Sequence, residues 1–452
     1  MIPSPARTAA AAALALLAAA APAAAQGTSP VDIPFESYRL QNGLRVVLAP
    51  DPATPVVAVN LWYDVGSRNE RAGRTGFAHL FEHMMFEGSE NAPKGEHSRL
   101  LRAAGAANLN ASTSEDRTNY YQVVPPSRMN LALWLEADRM RALNVTAEQL
   151  ANQQEIVKEE RRLRVDNAPY GPAQLLAFTA PYDREGCFSY AHDVIGSMDD
   201  LNAARIEDVQ QFFRTYYAPN NATLTLVGDF DPAVARRLVE QYFAAIPAGP
   251  APPPVQCENP FRSLPRRDTI RDPNAPLPAY MAVYGAVPMG HPDSYALDLL
   301  GIIVGEGSSS RFNQRLVKQE RAAGFAVLWR DLRRGPGLIL AYTRANQGVE
   351  AGRLEQLVDE EIAKVVAQGV TDAELTRAKN QQRARFIRSL QTALGKAEQI
   401  QRHALLFGDP ASIRTALDPY MAVTAADVQR VARQYLRPEN RAVIITIPAR
   451  GQ

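Results

Sequence analysis

Residues 208–226, DVQQFFRTYYAPNNATLTL, recur as residues 427–445, DVQRVARQYLRPENRAVII. Asp208, Val209, Gln210, Tyr216, Pro219 and Asn221 reappear as Asp427, Val428, Gln429, Tyr435, Pro438 and Asn440, each at an offset of 219 residues. The apolar alternation of the following strand repeats as well, Leu224 and Leu226 against Val443 and Ile445. Chance matching of helix-turn-strand chemistry would not hold one spacing across six positions. The pattern is a duplication of about 200 residues rather than a solenoid period.

Between the copies, Ile246 to Pro265 reads IPAGPAPPPVQCENPFRSLP, a proline-dense stretch that continues neither a helix nor a central strand. On either side run strands, then several helices, then a terminal apolar strand. This order predicts an α+β fold made twice, as two homologous α/β domains, each a mainly antiparallel sheet packed with helices. The expected domains are 30–245 and 266–450, joined by a linker over 246–265. In the first, Asn42-Gly43 is a hairpin signal before a strand over 45–48, and a second strand spans 56–65. Helices are expected over 76–86, 98–104, 128–143 and 146–165, with strands near 110–113 and 120–124.

A length of 452 residues itself exceeds what one core organises. Lys plus Arg number 49 and Asp plus Glu 48, a formal charge of +1, so no global field favours nucleic acid or an anionic membrane. Thr8 to Ala25 is an alanine-rich apolar run after Arg7, closing on Ala23-Ala24-Ala25. It reads as a cleavable signal peptide over 1–25, which makes the expected destination periplasmic. No later stretch approaches a spanning length. An oxidising destination permits Cys187 and Cys257 to pair, tying the linker to the first domain, or to remain two free thiols.

Chemistry concentrates in the 76–86 helix. Phe77, Ala78, Leu80, Phe81, Met84, Met85 and Phe86 surround its axis, so the helix should be buried. His79, Glu82 and His83 interrupt it at i, i+3 and i+4, on one face. Leaving them unsatisfied costs roughly 1 to 3 kcal/mol for each group, more for a charge. A zinc ion (Zn2+) would satisfy them, because two imidazoles one turn apart can share a tetrahedral metal while the carboxylate reaches its water. The order His-x-x-Glu-His inverts the commoner His-Glu-x-x-His.

His79-Leu80-Phe81-Glu82-His83, Asn110-Ala111-Ser112-Thr113, Thr118-Asn119-Tyr120-Tyr121 and Val157-Lys158-Glu159-Glu160-Arg161-Arg162 together resemble the signatures of the M16, or pitrilysin/insulinase, metallopeptidases. The resemblance extends to mitochondrial processing peptidase subunits and bacterial two-domain enzymes, and in the second half rests on the repeat and on Gly305 to Arg311. It implies a zinc-dependent endopeptidase acting on peptides or unfolded segments. His79 and His83 would be metal ligands, Glu160 the third, and Glu82 the base that activates the metal's water. Asn110 and Ala111 would lie on an edge strand that pairs with substrate. It also implies a homo- or heterodimer with another M16-like chain. Relatives often carry an Arg and a Tyr in the second domain that serve the transition state; Val317 and Phe325 stand at the corresponding positions here. The alternative of another class is a noncatalytic assembly subunit, against which the intact motif argues.

Spacing alone does not choose between Glu159 and Glu160. Projected as a helix, Leu150, Ile156, Val157 and Leu163 define a face centred within about 10° of Glu160 and roughly 110° from Glu159, so Glu160 is expected inward. The duplication sets Asp298, Gly301 and Ile302 opposite His79, Glu82 and His83, and Arg385 opposite Glu160, so the second half is expected to be metal-free. Arg377, Lys379, Arg383, Arg385 and Arg388 read as a solvated basic face, with a wall for peptide carboxylates as the second reading. His97, His192, His291 and His403 stand alone and are expected at the surface or in caps.

Overall fold

The alternation Leu224, Leu226 places two leucines on one face of a strand whose other face carries Thr225 and Val227, and both faces are buried. Such a strand belongs in the middle of a sheet covered on both sides. The structure, a computed structural model, describes residues 32–449. The expected signal peptide lies outside the described residues. Strand β6 (Ala222–Gly228) lies between β2 (Arg45–Pro50), to which it is parallel, and β3 (Val57–Tyr63), to which it is antiparallel. With β1 (Glu36–Arg39), β4 (Ala107–Thr113) and β5 (Thr118–Val124) the order is β1-β2-β6-β3-β5-β4.

The second sheet repeats this plan without the extra edge strand. Its order is β7-β11-β8-β10-β9, from β7 (Arg266–Asp272), β8 (Ala279–Ala286), β9 (Ala323–Asp331), β10 (Gly337–Ala345) and β11 (Arg441–Pro448). Again one parallel pair, β7 with β11, accompanies otherwise antiparallel neighbours. The repeated stretch thus makes the same helix, turn and central strand in both halves, and the fold is α+β with two homologous halves. Between Phe243 and Arg266 there is neither helix nor strand, as expected where proline removes ladder donors. Cys187 and Cys257 are joined by a disulfide that fastens this stretch to the first half.

One face of each sheet packs on helices of its own half. The other face is covered by the opposite half. The helix Ala393–Leu406 sets Ala397 and Ile400 against Val47, Ala58 and Val227, while the helix Gly171–Thr179 sets Ala173 and Ala177 against Val283, Leu340 and Ile444. This reciprocal exchange makes neither sheet complete without the other half. Polar contacts follow the same seam: Arg334 pairs with Asp64 at 2.8 Å and Arg333 with Glu115 at 3.1 Å. Among the described residues, no helix is long and apolar enough to cross a membrane.

Candidate metal centre

The helix Phe77–Met84 begins after Gly76, whose φ is 83° and where a Cβ would come within 2.7 Å of the Ile195 carbonyl oxygen, so that no side chain fits. Its first amides are capped from outside, since the buried Glu70 carboxylate accepts from Gly76 N at 2.8 Å and Ala78 N at 2.7 Å. Negative charge at a helix N-terminus is favourable. Phe81 packs on Tyr217 (4.1 Å between ring centroids), Phe212 and Phe213. The stretch that repeats in the sequence therefore buttresses the helix that carries the motif.

The remaining face turns His79, Glu82 and His83 toward the helix Ala147–Arg161. That helix starts in a capping box of Thr146 and Gln149, and its buried stripe is Leu150, Gln153 and Val157, which Glu160 continues. Ile156 and Leu163, which the sequence reading set in the apolar face, are 48% and 65% exposed. Glu160 is directed inward nonetheless: its side chain is 16% exposed against 57% for Glu159, which pairs with Arg162 instead.

One ligand atom each from His79, His83 and Glu160 falls within 4.8 Å of the others, and no other such cluster occurs among the described residues. Nε2 of His79 lies 3.7 Å from Glu160 Oε1, and Nε2 of His83 lies 3.5 Å from Oε2. Two donors about 2.1 Å from a tetrahedral ion stand about 3.4 Å apart. The observed separations are too long for hydrogen bonds and match donors sharing one ion. His83 Nδ1 meets Gln153 Oε1 at 3.1 Å, which fixes the ring and leaves Nε2 for a metal. Gln153 in turn donates to Glu87 at 2.8 Å. His79 Nδ1 is buried without a partner. The donor set, two nitrogens and one oxygen, suits zinc.

Burial, with His83 beside it, holds the His79 imidazole down at about 4, so it is neutral at pH 7. Burial also lowers His83, but its contacts with Glu160 and the charge of Glu82 outweigh that and raise it. Glu160 is lowered, first by His83. Burial raises Glu82 above the usual carboxylate value, against the pull of the Thr113 hydroxyl, which donates to Glu82 Oε2 at 2.6 Å. Thr113 closes β4, the outermost strand of its sheet, and Asn110 and Ala111 pair inward with Tyr121 and Tyr120. Gln153 and the role of Thr113 were missed in sequence, although Gln153 lies two turns before Glu160 on one helical face.

The second half carries Asp298, Gly301 and Ile302 on the helix Pro292–Gly305, and Arg385 pairs with Glu306. Val317 is packed against that half's core, and Phe325 on β9 lies under Arg344 at 4.7 Å. The lone histidines differ from the surface expectation. His291 caps a helix, but His97, His192 and His403 are buried, His192 against Glu70 at 3.1 Å and His403 stacked on Phe407.

Residues 45–176 match the family model described as insulinase (peptidase family M16), and residues 204–382 match that of the peptidase M16 inactive domain. The chain is 29% identical to the zinc protease PqqE of Helicobacter pylori over 91% of its length and 93% of that protein. It is 24% identical to a probable mitochondrial-processing peptidase subunit beta of Arabidopsis thaliana, covering 89% of this chain and 76% of that one. A crystal structure of a protease from Helicobacter pylori superposes with a TM-score of 0.85 at 28% identity, over 92% of this chain and 100% of the other. With the duplicated fold and the inverted motif in place, these matches identify the chain as a member of peptidase family M16.

Proposed function

We propose that the chain is a periplasmic zinc endopeptidase that hydrolyses peptides or unfolded segments, with His79, His83 and Glu160 as metal ligands and Glu82 as general base. The observation that carries this reading is the convergence of two neutral-capable imidazoles and an inward carboxylate on one point, 3.5 and 3.7 Å apart. A zinc ion held there supplies Lewis acidity toward water and the scissile carbonyl. Glu82, held by Thr113 and raised by burial, takes the proton of the attacking water and returns it to the leaving amine. A base whose proton affinity lies closer to neutrality performs both transfers better than an ordinary carboxylate.

The outer edge of β4, with Asn110 and Ala111, accepts an extended substrate through main-chain hydrogen bonds, which tolerates many sequences. Val317 and Phe325 offer no side-chain donor to a developing oxyanion, which supports completion of the site by a second M16-like chain in a homo- or heterodimer. The export reading draws support from the alanine-rich leader and from the fold shared with the periplasmic protease PqqL of Escherichia coli, matched at a TM-score of 0.72 and 19% identity over 48% of that chain. The deciding experiment is Glu82→Gln: zinc content should stay at the wild-type level while cleavage of a quenched peptide library falls roughly a hundredfold to ten-thousandfold. Substantial residual hydrolysis in a clean preparation would sink the mechanism.

A further inference from the structure

The duplication gives the second half its own version of the metal cleft. The helix Pro292–Gly305, strand β9 and the helix Asp372–Ser389 stand there as the motif helix, β4 and the Glu160 helix stand in the first half. Between them opens a cavity of about 520 Å³, within the range of about 300 to 1,000 Å³ typical of small-molecule sites. Its apolar wall includes Tyr295 and Tyr420, packed edge to face at 5.0 Å, with Trp329 and Phe407.

The charges in this cavity do not cancel. Arg330 is bound by Asp298 at 3.3 Å and by the Val287 carbonyl at 2.7 Å, and Asp298 also accepts from the Tyr420 hydroxyl at 2.7 Å. Arg385 pairs with Glu306. Arg402, half-buried in the cavity wall, makes no direct ion pair among the described residues: its guanidinium donates to Met289 Sδ at 3.7 Å, and the carboxylates of Asp298 and Glu398 feel its charge only from a distance. A guanidinium presented to a partly enclosed space beside aromatic rings is a receptor for a carboxylate that carries an apolar group.

We infer that this cavity binds the C-terminal residue of a peptide, Arg402 holding the free α-carboxylate and the aromatic wall an apolar side chain. The site needs no metal and stands whether or not the first half is a peptidase. The test is calorimetric titration of the full-length chain with N-acetyl-phenylalanine, and with its C-terminal amide. One saturable site per chain is expected for the acid, with affinity about tenfold lower for the amide and for Arg402→Gln, and partly restored in Arg402→Lys. His83→Ala, which disables the candidate metal site, should leave the affinity unchanged. Absence of saturable binding, equal binding of acid and amide, or binding lost in His83→Ala but kept in Arg402→Gln would each overturn the inference. The comparison of acid with amide on the unaltered chain holds even if a variant fails to fold.

Discussion

Replacing Glu160 by Gln keeps the shape of the side chain and removes the one anion from the three proposed metal donors. Its carboxylate oxygens lie 3.7 and 3.5 Å from the two imidazole nitrogens, so a metal held there would draw on both rings and the carboxylate. Zinc sites with four protein ligands bind with apparent energies of about 10 to 16 kcal/mol, or about 3 kcal/mol for each ligand, so losing one should weaken zinc about a hundredfold. The fold itself should hardly notice. Glu160's ion-pair partner Arg164 is 73% exposed, and such a pair is worth about 1 kcal/mol at most. Glu159, 57% exposed and paired with Arg162, should be replaceable by Gln with little change in zinc. The assay is zinc per chain by plasma mass spectrometry after dialysis, with competition against a chromophoric chelator for affinity and thermal unfolding of the metal-free variants as control. A Glu159→Gln protein that loses zinc beside a Glu160→Gln protein that keeps it would refute the assignment.

Replacing Cys187 and Cys257 together by Ser opens a link between residues 70 apart in sequence and should cost about 4 kcal/mol of stability by loop-closure entropy; unfolding with and without reductant checks it, and equal midpoints would contradict it. Glu374 is lowered to about 2, first by its hydrogen bond with Arg311. Its ionised form therefore stabilises the fold fully above about pH 4.5 and loses that contribution as pH falls toward about 2. Screening at this partly exposed site leaves about 1 kcal/mol, so Glu374→Gln should be less stable than wild type by that amount at pH 7 and indistinguishable near pH 2. A difference that persists at pH 2 would argue against the ion pair.

The duplication was legible because its helix and central strand are locally specified: Asp208 and Asp427 cap the first turn in each copy, and Tyr216 and Tyr435 precede the same Pro-x-Asn turn. The motif helix was legible for a similar reason, since a run of apolar residues leaves its three polar interruptions on one side. Glu160 came out on the expected side although half of the reasoning failed. The buried stripe is Leu150, Gln153 and Val157, with a polar residue in it, and Ile156 and Leu163 face outward. Hydrophobicity alone misplaced the face because Gln153 is buried for its hydrogen bonds to His83 and Glu87. The exchange of helices between halves left no local trace. Ala397 and Ile400 bury against strands more than 150 residues away, and an alanine-rich amphipathic helix reads the same whichever sheet it covers.

The most direct measurement of the central claim is X-ray absorption at the zinc edge on the zinc-loaded chain. The account predicts one zinc per chain in a shell of nitrogen and oxygen donors at about 2.0 to 2.2 Å, with the outer-shell scattering of two imidazoles, and loss of that signal in His83→Ala. A sulfur shell near about 2.3 Å, or a chain that takes up no zinc, would contradict it.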